Sequence, residues 1–157
     1  MKKTEERIFY EFMTNISSLG SYTFFAVLIL FFLATRQYYS SVFLLVGFIL
    51  LNLIVGVIRY FVKKDRPDKL PRRNFIENIS SSSMPSMHAA TSSFLLQTFL
   101  FYFGGEFLIS VFFVILTILI MYSRVYLRKH FTVDVVVGFI IGLLVFLLLT
   151  FIQLKFL

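Results

Sequence analysis

Long apolar runs alternate with short polar stretches along the chain, and the apolar runs dominate. A helix needs about 20 mostly apolar residues to cross a bilayer, so the longest runs are candidate membrane spans. Five such runs are expected at about 19–35, 41–62, 88–103, 107–122 and 133–154. Before them, apolar and charged residues recur at helical spacing, which predicts an interfacial helix over about 4–17. An ordinary first turn of the next helix explains that N-terminal pattern equally well.

The composition agrees with a membrane protein. Hydrophobic residues make up 59% of the 157, and 22 residues are Phe, whereas soluble domains average roughly 45–50% apolar residues. We therefore predict an all-α integral membrane protein, a bundle of about five transmembrane helices with an N-terminal interfacial helix. The length leaves room for a single membrane-embedded domain, residues 1–157. There is no cysteine, which excludes disulfides and thiolate metal sites.

Two apolar runs carry features of helix-helix contact. The third run is interrupted by polar side chains, which a lipid-facing helix avoids, so we expect it inside the bundle; these residues are Thr91, Ser92, Ser93, Gln97 and Thr98. In the fifth run, Gly138 and Gly142 are four residues apart. Small residues at this spacing let two helices approach closely.

Residues with possible chemistry collect at one membrane face. Because each span reverses the chain direction, the end of the second span, the start of the third, the end of the fourth and the start of the fifth share that face. It receives both histidines of the chain together with cations, hydroxyls, a carboxylate and two prolines: Arg59, Arg66, Pro67, Pro85, Ser86, His88, Ser123, Arg124, His130 and Asp134. Three separate segments thus bring these groups to one membrane depth.

This set of side chains suits a phosphate group. Guanidinium groups match phosphate oxygens as bidentate donors, and Ser86 with the backbone N–H groups at the start of the third helix adds further donors. Two histidines supply a nucleophile and an acid. If the chain is helical from His130 to Asp134, these side chains lie on one helix face. Asp134 would then hold one ring N–H of His130 and leave the other nitrogen free to attack, while His88 protonates the departing oxygen.

Three motifs in this order resemble the type-2 phosphatidic acid phosphatase superfamily, whose active site is shared with vanadium-dependent haloperoxidases. The family pattern is Lys-x6-Arg-Pro, then Pro-Ser-Gly-His, then Ser-Arg-x5-His-x3-Asp. In this chain the matching stretches are RYFVKKDRP at 59–67, PSMH at 85–88 and SRVYLRKHFTVD at 123–134. The third motif is intact, and the first two differ from the pattern at one position each.

The resemblance implies a metal-independent lipid phosphatase with a phosphohistidine intermediate, and no cofactor. By the motif positions, His130 would be the nucleophile, Asp134 its orienting carboxylate and His88 the acid for the leaving group. The phosphate would be bound by Arg59, Arg66, Ser86, Met87 and Arg124.

The two departures from the pattern concern phosphate binding. Arg59 replaces Lys, which keeps the charge but substitutes a planar fork for a point charge. Met87 replaces Gly, and any requirement for a positive φ at this position would be costly for Met.

Other functions fit parts of the same pattern. His88, His130 and Asp134 are suitable ligands for a metal, although the surrounding arginines favour an anion. A lipid-binding membrane protein without turnover would keep the anion site, and a lipid phosphotransferase would use the same chemistry with an alcohol as acceptor. Replacement of His130 separates an enzyme from a binder, because it abolishes turnover and leaves lipid binding largely intact.

The expected partners are the bilayer and a lipid substrate, with no nucleic acid. Polyprenyl diphosphate, phosphatidylglycerophosphate and phosphatidic acid all fit, and the short loops favour the first because they imply little head-group recognition. The chain has 15 Lys and Arg residues, and of these only Arg36 and Lys155 fall on the face opposite the motifs. The positive-inside rule thus places the motifs on the cytoplasmic side. Microbial members of the family more often face outward, so the side of the membrane stays open, as does the oligomeric state.

Overall fold

The protein is a bundle of α-helices. In the computed structural model, residues 2–68, 77 and 81–156 are described, and within these residues there are helices but no strands. The helices are α1 (Lys2–Ser18), α2 (Tyr22–Ala34), α3 (Tyr38–Val62), α4 (Met87–Phe103), α5 (Phe107–Tyr126) and α6 (Thr132–Phe156). Their bounds lie within a few residues of the sequence prediction. The remainder of the polar stretch between α3 and α4 lies outside the described residues.

Local capping explains where several helices begin and end. The hydroxyl of Ser21 accepts from the N–H of Phe24 at the start of α2, and Ser86 accepts from Ala89 at the start of α4. Both serines satisfy an N–H that has no partner inside its helix. The chain leaves α3 at Lys63, which adopts the left-handed conformation with φ 45°, and it turns after α5 at Arg128 with φ 54°.

The prediction of an all-helical integral membrane protein is confirmed. Among the described helices, α3, α5 and α6 are each long and apolar enough to cross a membrane. The pair α1 and α2, bent by 47° at its junction, passes the same test together and counts as a fourth span if it is one broken helix. By itself α2 has 13 residues, or about 20 Å at about 1.5 Å per residue, which is shorter than a bilayer core of about 30 Å.

The centre of the bundle is α4, whose residues are mostly buried, including its hydroxyl side chains. This confirms that the third apolar run lies inside. A Cβ added at Gly138 would overlap the carbonyl oxygen of Ser86, and one added at Gly142 would overlap that of Ala90. The two glycines therefore let α6 lie directly against α4. Ser93 strengthens this contact by donating to the carbonyl of Phe139 at 2.8 Å, and the beginnings of both helices are thereby fixed side by side.

Candidate active site

The three motif segments meet at one end of the bundle, as the sequence predicts. From the end of α3, Arg59 donates through Nε and Nη2 to the carbonyl of Pro85 at 3.1 and 2.8 Å. From the start of α4, the N–H of Ser86 donates to the carbonyl of Asp134 at 2.9 Å. These bonds connect residues that are far apart along the chain, so they fix the end of α3 and the starts of α4 and α6 relative to one another.

His130 lies buried in the turn between α5 and α6. Its Nδ1 is 2.6 Å from the carbonyl oxygen of Ser83. A carbonyl only accepts hydrogen bonds, so Nδ1 carries the proton and donates it. In the neutral imidazole the other nitrogen, Nε2, then carries a free lone pair. The structure thus holds His130 in the tautomer that an attacking Nε2 requires.

The partner of His130 differs from the one that the sequence led us to expect. The expected pairing assumed a helix from His130 to Asp134, but α6 begins at Thr132 and His130 precedes it. Asp134 sits in the first turn of α6, where its Oδ2 accepts the N–H of Phe131 at 2.9 Å. Its Oδ1 forms an ion pair with Lys64 at 2.6 Å. The ring N–H of His130 is therefore held by Ser83 and not by Asp134.

Lys64 connects these groups. Its ammonium pairs with the fully buried Asp134, and its backbone carbonyl accepts from the N–H of Ser83 at 2.8 Å. Ser83 in turn holds His130. One residue just after α3 therefore supports both the carboxylate and the carbonyl that orients the histidine.

Arg124 lies in the last turn of α5 and is buried. Its Nη1 donates to the hydroxyl of Ser17 in α1 at 2.5 Å. Its Nε is also buried, and it has no hydrogen-bond partner among the described residues. Arg124 is thus anchored through Nη1, and among the described residues nothing accepts from its buried Nε.

Positive charge surrounds His130. Burial lowers the pKa of the His130 imidazole far below its usual value, and the charges of Arg124 and Arg66 lower it further. Burial also lowers the pKa of Arg66, while the Asp68 carboxylate acts in the opposite direction. The guanidinium groups of Arg124, Arg59 and Arg66 also act electrostatically on His88. The motif arginines and both histidines are therefore near neighbours, and His130 is neutral around pH 7.

The second motif forms the start of α4. The hydroxyl of Ser86 is fully buried and caps the helix. Met87 does not have a positive φ, and its side chain is buried in the hydrophobic core. The replacement of Gly by Met therefore causes no backbone strain of this kind. His88 follows in the first turn, and its ring makes no hydrogen bond to any described residue.

Three residues that support the site were not recognised in the sequence. Lys64 falls at a variable position of the first motif, within a charge run that resembles an ordinary membrane flank. Ser83 contributes its backbone carbonyl, which no side-chain pattern reveals, and it lies in a run of buried serines, Ser81, Ser82 and Ser83. Ser17 lies in the N-terminal helix, outside every motif.

Within residues 2–68, 77 and 81–156, no group of three His, Cys, Asp or Glu side chains is placed to hold a metal ion. The alternative ligand set of His88, His130 and Asp134 is not assembled as such, because Lys64 occupies the Asp134 carboxylate. Metal independence itself stays a prediction, which chelation tests.

Comparison with known proteins agrees with the motifs. The family model of the PAP2 superfamily matches residues 40–156. Phosphatidylglycerophosphatase B of Bacillus subtilis (strain 168) is 30% identical over 150 residues, an alignment that covers 88% of this chain and 72% of the relative.

Solved structures show the same fold. A transmembrane PAP2-type phosphatidylglycerolphosphate phosphatase from Bacillus subtilis superposes with a TM-score of 0.77 at 27% identity, covering 95% of this chain and 78% of that one. LpxE of Aquifex aeolicus superposes with a TM-score of 0.73 at 23% identity, covering 91% of this chain and 86% of LpxE. The chain therefore belongs to the PAP2 superfamily and is an integral membrane hydrolase of lipid phosphates.

Proposed function

We propose that the protein removes a phosphoryl group from a membrane lipid through a phosphohistidine intermediate, without a metal ion. The observation that carries this proposal is the hydrogen bond from His130 Nδ1 to the Ser83 carbonyl. It leaves the Nε2 lone pair free, in a neutral imidazole surrounded by guanidinium groups. A neutral nucleophile beside fixed positive charge suits attack on an anionic phosphoryl group.

The reaction proceeds in two displacements. In the first, Nε2 of His130 forms a bond to phosphorus while the bond from phosphorus to the lipid oxygen breaks, and His88 gives its proton to that oxygen. In the second, water attacks the phosphohistidine and His88 accepts a proton from this water. Inorganic phosphate leaves, and both histidines return to their starting protonation states.

Phosphate binding supplies most of the catalysis in such a reaction, because the transition state needs charge neutralisation and alignment. Arg124 offers its Nε and Nη2 edge, and Arg66 adds a second positive charge. Arg59 has used its own Nε and one Nη2 hydrogen on Pro85, which leaves its remaining N–H groups for the anion. The N-terminal end of α4, with Ser86 and the N–H of Met87, adds donors where the helix dipole is positive.

His88 is the proposed acid for the leaving oxygen. Its ring makes no hydrogen bond to the described residues and stands at the start of α4 beside the same arginines. A bound phosphate brings negative charge to this place, and nearby negative charge favours the protonated imidazole. Substrate binding thus prepares His88 to donate.

The substrate is expected to be a lipid phosphate or diphosphate. The sequence favoured polyprenyl diphosphate because little of the chain is left for head-group recognition. The relatives from Bacillus subtilis are named for phosphatidylglycerophosphate, so this lipid is the first candidate and polyprenyl diphosphate the second.

The test of the substrate is phosphate release by the purified protein in detergent with excess EDTA. Phosphatidylglycerophosphate, polyprenyl diphosphate and phosphatidic acid are compared at equal concentration in the micelle, with His130→Ala as the matched control. Release from at least one lipid that disappears in His130→Ala supports the proposal. Release that requires an added divalent metal, or that survives in His130→Ala, contradicts it.

A further inference from the structure

The first helix takes part in the site although it precedes the family match, which begins at residue 40. α1 packs against α5, with Met13 buried. The ring of Phe9 meets that of Tyr126 edge to face, with centroids 5.1 Å apart. The helix is thus fixed beside the last turn of α5, which carries Arg124.

Ser17 is the point where α1 reaches the site. Its side chain is buried, with 4% of the residue's surface exposed, and its oxygen accepts from Arg124 Nη1 at 2.5 Å. The neighbouring hydroxyls behave differently: Thr14 donates to the carbonyl of Tyr10 at 2.9 Å, and Ser18 donates to that of Asn15 at 2.6 Å. The Ser17 hydroxyl makes no such bond, so its proton has no acceptor among the described residues.

The turn after α1 keeps Ser17 in place. Thr91 of α4 donates to the carbonyl of Gly20 at 2.8 Å. A Cβ added at Gly20 would lie 2.9 Å from Ile120 Cγ2 and 3.3 Å from the Cβ of His88. A side chain at Gly20 would thus meet His88, so the turn after α1 lies close to the helix start that binds the phosphate in the proposed function.

We propose that Ser17 is a phosphate-binding residue of this site. Its oxygen accepts from Arg124 and its free O–H donates to an oxygen of the phosphoryl group that Arg124 holds. A hydroxyl that accepts from a cation becomes a better donor itself, because successive hydrogen bonds polarise one another. The proposal rests on the proposed function for the identity of the ligand, and it adds a donor from outside the family motifs.

The test measures binding of orthovanadate, a phosphate mimic, to the full-length protein in detergent by titration calorimetry. The variants are Ser17→Ala and, as the matched control, Ser18→Ala, which removes an exposed hydroxyl from the adjacent position. Loss of a hydrogen bond to a charged ligand weakens binding by about tenfold or more. We expect that loss for Ser17→Ala and unchanged affinity for Ser18→Ala. Equal affinities of wild type and Ser17→Ala would overturn the proposal.

A second pair of variants covers the case in which Ser17→Ala does not fold. Ser17→Thr and Ser17→Val have nearly the same shape and differ in the hydroxyl. Vanadate affinity that is kept in Thr and reduced about tenfold in Val supports the assignment, whereas equal affinities refute it. Vanadate binding needs no turnover, so a wild type that binds vanadate but releases no phosphate from any lipid contradicts the proposed function and leaves the Ser17 result valid.

Discussion

The ends of α3 and α5 each present a buried arginine to the site, and the two regions use the guanidinium group differently. At the end of α3, Arg59 turns its Nε and Nη2 edge to the Pro85 carbonyl. At the end of α5, Arg124 donates through Nη1 to Ser17, and its buried Nε has no partner among the described residues. Arg59 therefore has a largely structural contact, whereas Arg124 keeps a buried donor without a partner among the described residues.

This difference explains how an arginine can stand at position 59, where the family pattern has Lys. The usual Lys is a point charge with rotatable donors, whereas Arg can form two parallel bonds to one acceptor. Here both bonds go to the turn that leads into α4. Arg59 thus supports the position of Ser86 and His88 and keeps its charge near the proposed phosphate site.

The largest expected effect comes from Arg124→Ala. The open edge is lost together with its charge, so kcat/KM should fall by about a thousandfold, as for other groups that stabilise transition-state charge. The melting temperature should also fall, because the variant loses the buried Nη1 contact to Ser17. Steady-state phosphate release and a thermal melt check this. A variant that keeps activity within about tenfold would mean that Arg124 does not bind the phosphate.

Lys64→Met should have the next largest effect, because the buried Asp134 loses its ion-pair partner and the Ser83 carbonyl that holds His130 is less well fixed. We expect kcat to fall by roughly ten- to a hundredfold with a smaller change in KM, since substrate contacts remain. The matched control is Lys63→Met, which removes the same charge from an exposed neighbour. Equal losses in the two variants would show that only the surface charge matters.

Arg59→Lys restores the usual family residue and sharpens the comparison of the two arginines. Lys keeps the charge but cannot form the two bonds to Pro85, so we expect a loss of about 1 kcal/mol in the free energy of unfolding. Activity should fall by about tenfold or less, whereas Arg124→Lys should lose far more because a bidentate contact to phosphate disappears. Equal losses of activity in Arg59→Lys and Arg124→Lys would show that the two arginines do not differ in their roles.

The pH dependence tests the environment that the arginines create. Burial and the nearby arginines lower the pKa of His130, so this group stays neutral as the pH falls below the usual imidazole value near 6.5. The nucleophile should therefore remain active well below pH 6.5, and its protonation should reduce kcat/KM only in strong acid. With His88 as the proposed acid, kcat/KM should therefore follow a bell-shaped pH profile. In Arg66→Gln one positive charge near His130 is lost, so the acid limb of the kcat/KM profile should move to higher pH. If that limb does not move, it reports the protonation of a group other than His130.

The smallest effect on turnover is expected for Met87→Gly. Met87 adopts no positive φ and its N–H is present in both residues, so kcat should stay within about threefold of wild type. The buried side chain is lost, however, so the protein should melt at a lower temperature. A large gain in turnover would show that Met87 restricts the approach of the phosphate after all.

Much of the architecture could be predicted because it depends on residue types along the chain. The apolar runs give the helices, and their alternating direction brings Arg59, His88 and His130 to one end. The hydrogen-bond partners of these side chains could not be predicted, because they depend on the residue at which each helix begins. His130 precedes α6 by a short turn, which separates it from Asp134 and places its ring beside a backbone carbonyl. The contact of Ser17 with Arg124 depends on how α1 packs against α5, which no motif records.

The most direct test of the mechanism is to trap the phosphoenzyme. The protein in detergent with EDTA is mixed with a lipid substrate labelled in its terminal phosphoryl group, then quenched in alkali within the first turnover. Wild type should retain protein-bound label that is stable in alkali and released by acid, as expected for phosphohistidine, and peptide mapping should place it on His130. His130→Ala should retain none. Rapid phosphate release by wild type without any labelled protein, or label on another residue, would contradict the proposed role of His130.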